Sequence, residues 1–368
     1  MKLQRVELTN FRSYERSAFE LHPDVTLVVG PNASGKTNLL EGIYVLASTK
    51  SFRAKDRDLV RHGQDHCRIV VRGEVEYALG MALTTGAVTK KITHDGVKRA
   101  LAAHVGQIQV TLFEPSELSL LAGPPEGRRR YLDFLLCQTD RQYLLTLQRY
   151  RRALKQRNAL LDKTWGHPPE DQLFAWNIKL AELAVAIYER RQQLLEALNR
   201  STPLLYADIA GEAAALELKY LPSVPGNYAA EFLSTLERNL ARDLGAGFTT
   251  IGPHREDFAV RFKGGEVMAV ASRGEVRTII LAMKLAELTY AEAATGIRPV
   301  LLLDDVFSEL DKQRRAYLLN RLAGYQTVIT TTDADAIAKE FTTAHSIIYT
   351  EDQGAAADAA DAAGASHD

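Results

Sequence analysis

Gly30-Pro31-Asn32-Ala33-Ser34-Gly35-Lys36-Thr37 satisfies the pattern G-x-x-x-x-G-K-[ST] at every fixed position. The stretch before it, Val25-Thr26-Leu27-Val28-Val29, is nearly all apolar, as expected of a strand buried on both faces. After it, Leu39, Leu40, Ile43, Leu46 and Ala47 recur at helical spacing. A glycine-rich turn between a buried strand and a helix start lets several backbone N–H groups converge on one anion. Lys36 brings a positive charge to the outer phosphates, the Thr37 hydroxyl is a ligand for Mg²⁺, and the helix N-terminus adds its partial positive charge. The eight residues predict a nucleoside triphosphate site.

Val300-Leu301-Leu302-Leu303 reads as a second buried strand, and it ends in two acids, Asp304 and Asp305. In phosphate-loop ATPases such a strand is expected beside the loop's own strand, its first acid holding Mg²⁺ through water. Asp304 takes that role, and Asp305 is the candidate catalytic group that orients or deprotonates the attacking water. The bland alternative is that one of the two caps the next helix.

Ser272-Arg273-Gly274-Glu275 opens a helix expected over 272–294, and a Ser and a Gly at a helix start offer free N–H groups and a hydroxyl to an anion. Alone, it is equally an ordinary N-cap. Its order, after the loop at Gly30 and before the acids at Asp304, is that of ABC-type ATPases. There, Ser272, Gly274 and Glu275 of one subunit would complete the ATP site of another. Ser308-Glu309-Leu310-Asp311 then matches the D-loop, with Asp311 as its acid. One loop and one signature per chain predict an ATP-dependent homodimer.

The chain has 368 residues, 46% hydrophobic and 25% charged, which argues for two domains and against a disordered or membrane-embedded body. Lys+Arg 45 against Asp+Glu 46 leaves a net charge of −1, so a nucleic-acid surface has to come from local clustering. Cys67 and Cys137 are too few for a disulfide framework or a zinc site. The opening Met1-Lys2-Leu3-Gln4-Arg5-Val6-Glu7 lacks the apolar core of a signal peptide, and no apolar run reaches the ~18 residues of a membrane span. A cytoplasmic protein with no membrane contact is expected.

Leu147, Leu154 and Leu161 recur every seven residues, and after Gly166-His167-Pro168-Pro169 the residues Leu173, Leu180, Ile187 and Leu194 do the same. Two helices of ~28 residues in an antiparallel hairpin follow from that spacing. The expected fold class is α/β: an ABC-type phosphate-loop ATPase head assembled from the N- and C-terminal segments, with an inserted, mainly helical arm. The expected divisions are head at 1–113, arm at 114–246, head again at 247–353, and an Ala/Asp tail at 354–368 whose composition does not favour a core.

Between Arg128 and Arg157 stand nine Lys/Arg (Arg128, Arg129, Arg130, Arg141, Arg149, Arg151, Arg152, Lys155, Arg157) and two acids, Asp133 and Asp140, a local excess of +7. Phosphate contacts need such an excess, and Arg128, Arg129, Arg149, Arg152 and Lys155 are the DNA candidates. The competing reading is a solvated helix face. Gly252-Pro253-His254-Arg255 reads either as a nucleotide sensor or as a structural turn, and Gln107 and Gln109 are the candidates for a Q-loop glutamine.

Val6-Glu7-Leu8-Thr9-Asn10-Phe11-Arg12-Ser13-Tyr14 resembles the opening of SMC-like ATPases. More specifically the chain resembles the bacterial RecF family. The matching pieces include Asn10-Phe11-Arg12, Leu39-Leu40-Glu41-Gly42-Ile43-Tyr44, Ser51-Phe52-Arg53, Arg128-Arg129-Arg130-Tyr131-Leu132-Asp133, Leu154-Lys155-Gln156-Arg157-Asn158, Gly252-Pro253-His254-Arg255 and Leu303-Asp304-Asp305-Val306-Phe307-Ser308-Glu309-Leu310-Asp311. The resemblance implies a weak, Mg²⁺-dependent ATPase of DNA repair and replication restart that dimerises on ATP and binds DNA at single-strand/double-strand junctions. It further implies RecO, RecR and RecA as partners, and Arg12 and Arg53 read as nucleotide or intersubunit contacts, Arg12 being the ATP-binding candidate. The rival is the ATPase subunit of a membrane transporter, disfavoured by the arm and by Thr330-Thr331-Thr332-Asp333, where transporters carry a His.

Overall fold

The computed structural model describes residues 2–114, 118–162, 170–332 and 344–350. The chain divides into two compact units, Met1–Pro115 with Ala291–Asp368, and Ser116–Tyr290. In the first unit the strands run β1 (Arg5–Phe11), β2 (Tyr14–Glu20), β3 (Val25–Val29), β4 (His66–Arg72), β5 (Glu76–Thr84), β6 (Ala87–His94), β7 (Val97–Arg99) and β8 (Val110–Phe113). The second unit contributes β9 (Leu216–Leu221), β10 (Asp257–Phe262) and β11 (Gly265–Glu266), and the chain returns to the first unit for β12 (Val300–Asp304), β13 (Thr327–Thr331) and β14 (His345–Tyr349).

A five-stranded sheet, order β14-β3-β13-β12-β8, is parallel throughout. Every residue of β3, β8, β12 and β13 is buried, which is why those segments read as apolar runs and not as alternations. The helix Lys36–Ser48 packs against this sheet and against β1 and β4 of a second, antiparallel sheet of order β2-β1-β4-β5-β6-β7. Val6, Leu8, Ile69, Val71, Leu79 and Met81 are the buried side of that second sheet.

The acid strand β12 does not lie beside β3. β13 stands between them, pairing with both, so the expected direct adjacency is corrected. Gln107 and Gln109 precede β8 and so lie at the edge of the parallel sheet opposite to the phosphate loop, which follows β3. Gln109 is buried and accepts from Thr295 (3.2 Å), a packing role, whereas Gln107 is exposed.

In the second unit the helix Arg141–Leu161 runs against the long helix Glu170–Ala210, with Leu147, Tyr150, Leu161, Leu173, Leu180, Ile187 and Leu194 buried. The two are 21 and 41 residues long, not equal, because the second continues through Pro203. The expected Gly166–Pro169 break and the Ala/Asp tail lie outside the described residues. Residues 247–290, expected with the head, belong to the second unit: β10 pairs along its whole length with β9, and the helix Pro125–Thr139 packs on β10.

Candidate functional site: a phosphate loop and paired carboxylates

β3 delivers the chain into a loop whose shape depends on two glycines. A Cβ on Gly30 would stand 2.2 Å from Thr350 Oγ1 and 2.7 Å from Ser34 Oγ. Gly35 has φ +96°, and Ala33 is also left-handed at φ 69°. These turns curl the backbone into an amide-lined concavity. The amides of Lys36 and Thr37 open the helix's first turn, where no intrahelical acceptor exists. Lys36 Nζ donates to Gly30 O and Pro31 O, both at 2.7 Å. Burial lowers the Lys36 pKa, opposed by the nearby Asp305 and Asp304.

Those acids sit where β12 ends. Asp304 Oδ1 accepts from Thr37 Oγ1 (2.8 Å) and from Thr330 Oγ1 on the intervening strand (2.7 Å). Thr330 Oγ1 in turn accepts the Asp305 N–H at 2.9 Å. Thr330 therefore bridges the gap that β13 opens between loop and acid strand. Asp305 occupies the N-cap position of the short helix Val306–Glu309, with φ 49°, yet its side chain makes no capping bond. The helix-cap alternative fails for Asp305, and a left-handed aspartate held by its surroundings is the kind of strain that collects at functional sites. Thr37 and Asp304 offer oxygen donors only, which suits Mg²⁺. No cluster of three or more His, Cys, Asp or Glu able to hold a metal occurs among the described residues.

The Asn10–Tyr14 segment lies over the same first turn. Tyr14 Oη donates to Gly35 O (3.0 Å), and Asn38 Nδ2 donates to Ser13 Oγ (2.8 Å). Arg12, at φ 55°, donates through two nitrogens to Glu41, each at 2.8 Å. Arg53 reaches both Asn38 Oδ1 (2.6 Å) and Glu41 Oε2 (3.0 Å), and Ser51 donates to Glu41 (2.5 Å). Burial alone would raise the Glu41 carboxyl, but Arg12, Arg53 and Ser51 hold it below its ordinary range. A cavity of about 580 Å³ opens here, lined by Arg12, Ser13, Asn38, Arg57, Asp58 and Arg61 among others. The hub role of Glu41 was missed from sequence. Its one signal is its place one helical turn after Thr37.

The other expected residues are placed locally. Ser272 Oγ accepts the Glu275 N–H (3.3 Å) while Glu275 accepts the Ser272 N–H (2.7 Å), a capping box. Lys263 donates to Glu275 at 2.7 Å, and this pair with the Ser272 bonds brings the Glu275 carboxyl down to about 2. Asp311 caps the helix Lys312–Leu322 through the Arg314 N–H (2.9 Å).

The basic run divides. Arg128 is held by both oxygens of Asp257 (2.8 and 2.7 Å), Arg129 donates to Glu256 O (2.9 Å), Arg151 and Arg157 pair with Asp133 and Asp243, and Arg157 is fully buried. Arg128 is thus committed to a structural ion pair, contrary to its reading as a DNA contact, while Arg129 is half-buried with one bond to a carbonyl. Arg149, Arg152 and Lys155 are exposed on one helix. His254 is bonded at both ring nitrogens, to Tyr150 Oη (2.7 Å) and Thr249 O (3.1 Å), as part of a turn in the second unit. Burial pushes the Cys67 and Cys137 thiols up to about 12, so neither is a reactive thiol.

The RecF/RecN/SMC N-terminal domain family matches residues 2–356. A DNA replication and repair protein RecF of Staphylococcus aureus (strain JH9) is 37% identical over 356 residues, covering 92% of this chain and 95% of the relative. The chain belongs to the RecF family. A solved RecF-ATP structure of the recombination mediator protein RecF superimposes with a TM-score of 0.84 at 33% identity, over 90% of this chain and 92% of that one. An Smc head domain from Pyrococcus furiosus shares the fold alone, at 14% identity and a TM-score of 0.52 over 95% of this chain and 94% of that one. RecF membership replaces the transporter-subunit reading. No helix among the described residues is long and apolar enough to cross a membrane.

Proposed function

We propose that this RecF-family chain is an ATP-driven switch of recombinational DNA repair, active in the cytoplasm. The single observation that carries the reading is the Thr37–Asp304 bond of 2.8 Å, which joins the phosphate loop to the acid strand across β13. Mg²⁺, when bound, neutralises phosphate charge and organises the reacting oxygens. Thr37 and Asp304 hold it, Lys36 turns from the loop carbonyls to the phosphates, and Asp305 accepts a proton from the attacking water. Arg12 and its cavity receive the nucleoside side of ATP. Ser272, Gly274 and Glu275 of a second copy close over the nucleotide, with Asp311 at the same interface. ATP binding then joins two copies, and slow hydrolysis releases them.

The curated relative is a DNA replication and repair protein, and the solved relatives belong to a RecFOR pathway. On that likeness DNA at single-strand/double-strand junctions is the substrate surface, with RecO, RecR and RecA as partners. Arg149, Arg152 and Lys155 are exposed and available for phosphate contacts. The test is Mg-ATP hydrolysis by wild type and Lys36→Met, with and without gapped duplex. Turnover stimulated by DNA and abolished in the variant is expected. Turnover indifferent to DNA would remove the coupling, and activity retained in Lys36→Met would remove the site.

A further inference from the structure

The antiparallel sheet has one face against the helix Lys36–Ser48 and an opposite face whose side chains follow from strand register. One cross-strand row reads Arg16, Thr9, Arg68, Gly80, Lys91. The next reads Ala18, Glu7, Val70, Ala78, Thr93, Lys98. The third reads Glu20, Arg5, Arg72, Glu76. Charge is distributed unevenly over these rows. Arg5 pairs with Glu7 and Glu20 (2.9 and 2.8 Å) and Arg72 with Glu7 and Glu76 (both 2.9 Å), so the cations of the third row are all paired and that group carries no positive excess. The side chains of Arg16, Arg68 and Lys91 are exposed and make no ion pair or hydrogen bond with any described residue, and Lys98 in the second row is likewise exposed.

The floor between these cations is low. A Cβ at Gly80 would meet nothing closer than Lys91 O at 3.9 Å, and the neighbouring positions are Thr9, Ala78, Ala82 and Thr89. Strands ~4.8 Å apart set the three cations of the first row ~10 Å from one another and extend the row over ~19 Å. One strand of a B-form duplex carries about five or six phosphates over that length. A straight line of unpaired cations at regular ~10 Å intervals over small residues matches the regular charge of an extended phosphodiester backbone.

We infer that the exposed face of this sheet is a DNA-backbone contact, made by Arg16, Arg68 and Lys91. The inference rests on the DNA-binding reading above and adds a surface to it, separate from the Arg149–Lys155 helix. The contact reads no base sequence.

The test is binding of a fluorescein-labelled duplex of ~30 base pairs by anisotropy across a NaCl series, with Mg-ATP. Each phosphate contact contributes about 0.9 to the slope of log K against log [salt]. Arg16→Gln/Arg68→Gln/Lys91→Gln should therefore lower the slope by about 2.7, while turnover without DNA and the melting temperature stay at wild-type values. Thr9→Lys, which adds a cation between Arg16 and Arg68, should steepen it by about 0.9. An unchanged slope in the triple variant overturns the inference. If Arg149→Gln/Arg152→Gln/Lys155→Gln alone removes the salt dependence, DNA binding stands and this surface falls. If wild type binds no duplex, the underlying reading has failed with it.

Discussion

Thr330 places one hydroxyl between two acids with different tasks, donating to Asp304 Oδ1 and accepting the Asp305 N–H. Removing it leaves Asp304 Oδ1 held by the Thr37 hydroxyl and loosens the left-handed turn at Asp305. Thr330→Ala is expected to weaken Mg²⁺-dependent turnover about 10- to 100-fold, the usual cost of losing a support behind a metal ligand. Thr330→Ser should restore most of it, and a titration of turnover against Mg²⁺ concentration checks both. His254 gives a pH prediction of known sign. Its Nε2–H donates to Thr249 O, so its Nδ1 accepts from Tyr150, and the neutral ring is the one that fits. Burial lowers its pKa from the ordinary 6.5 to about 4. Between those values the unfolded chain binds the extra proton, so stability falls as pH drops through that window. His254→Gln should melt with a shallower pH dependence from 6.5 downward than wild type, read by circular dichroism.

The hairpin of Arg141–Leu161 and Glu170–Ala210 is held by more than its leucine seam. Arg157 is fully buried and donates to Asp243 (2.7 Å), Asn177 (2.7 Å) and Thr249 (2.7 Å), tying both helices to the helix Leu240–Ala246 and to the segment after it. Cutting one partner from a buried pair strands the other charge, at a cost of about 3–5 kcal/mol. Arg157→Ala should lose that much in urea unfolding, whereas Arg157→Met/Asp243→Leu should recover a large part of it, because neither charge is then left alone. Arg157 belongs to the +7 run of the sequence, and only its neighbours in space separate it from Arg149 and Arg152, which lie on the same helix.

The phosphate loop and the acids lie in the unit built from both chain ends, and the Ser272–Glu275 segment lies in the other unit. Within one chain, Ser272 and Glu275 satisfy each other, and the helix they cap needs no ligand. A role for this segment over ATP therefore has to be tested between chains. Ser272→Arg should leave nucleotide binding to the monomer within about two-fold and abolish the ATP-induced dimer in sedimentation velocity. A dimer that persists would return Ser272–Glu275 to a helix cap. The second unit also includes residues 247–290, because β10 completes a sheet with β9 and not with any strand of the head.

The local chemistry could be read directly from the residues. A buried strand, a glycine turn, a lysine and a helix start are consecutive in the chain, so their pattern survives in one dimension, and so does the apolar run that ends at Asp304. The heptads of the arm are legible for the same reason, since helical spacing is a property of neighbours. The folded molecule settled whatever depends on residues distant in sequence meeting. It inserted β13 between β3 and β12 and made Thr330 the bridge, and it turned Glu41 into a hub for Arg12 and Arg53. It paired Arg128 with Asp257 and aligned Arg16, Arg68 and Lys91 across separate strands. A charge count along the chain cannot distinguish a cation in solvent from one paired with a carboxylate more than a hundred residues away, because desolvation and pairing are decided by packing.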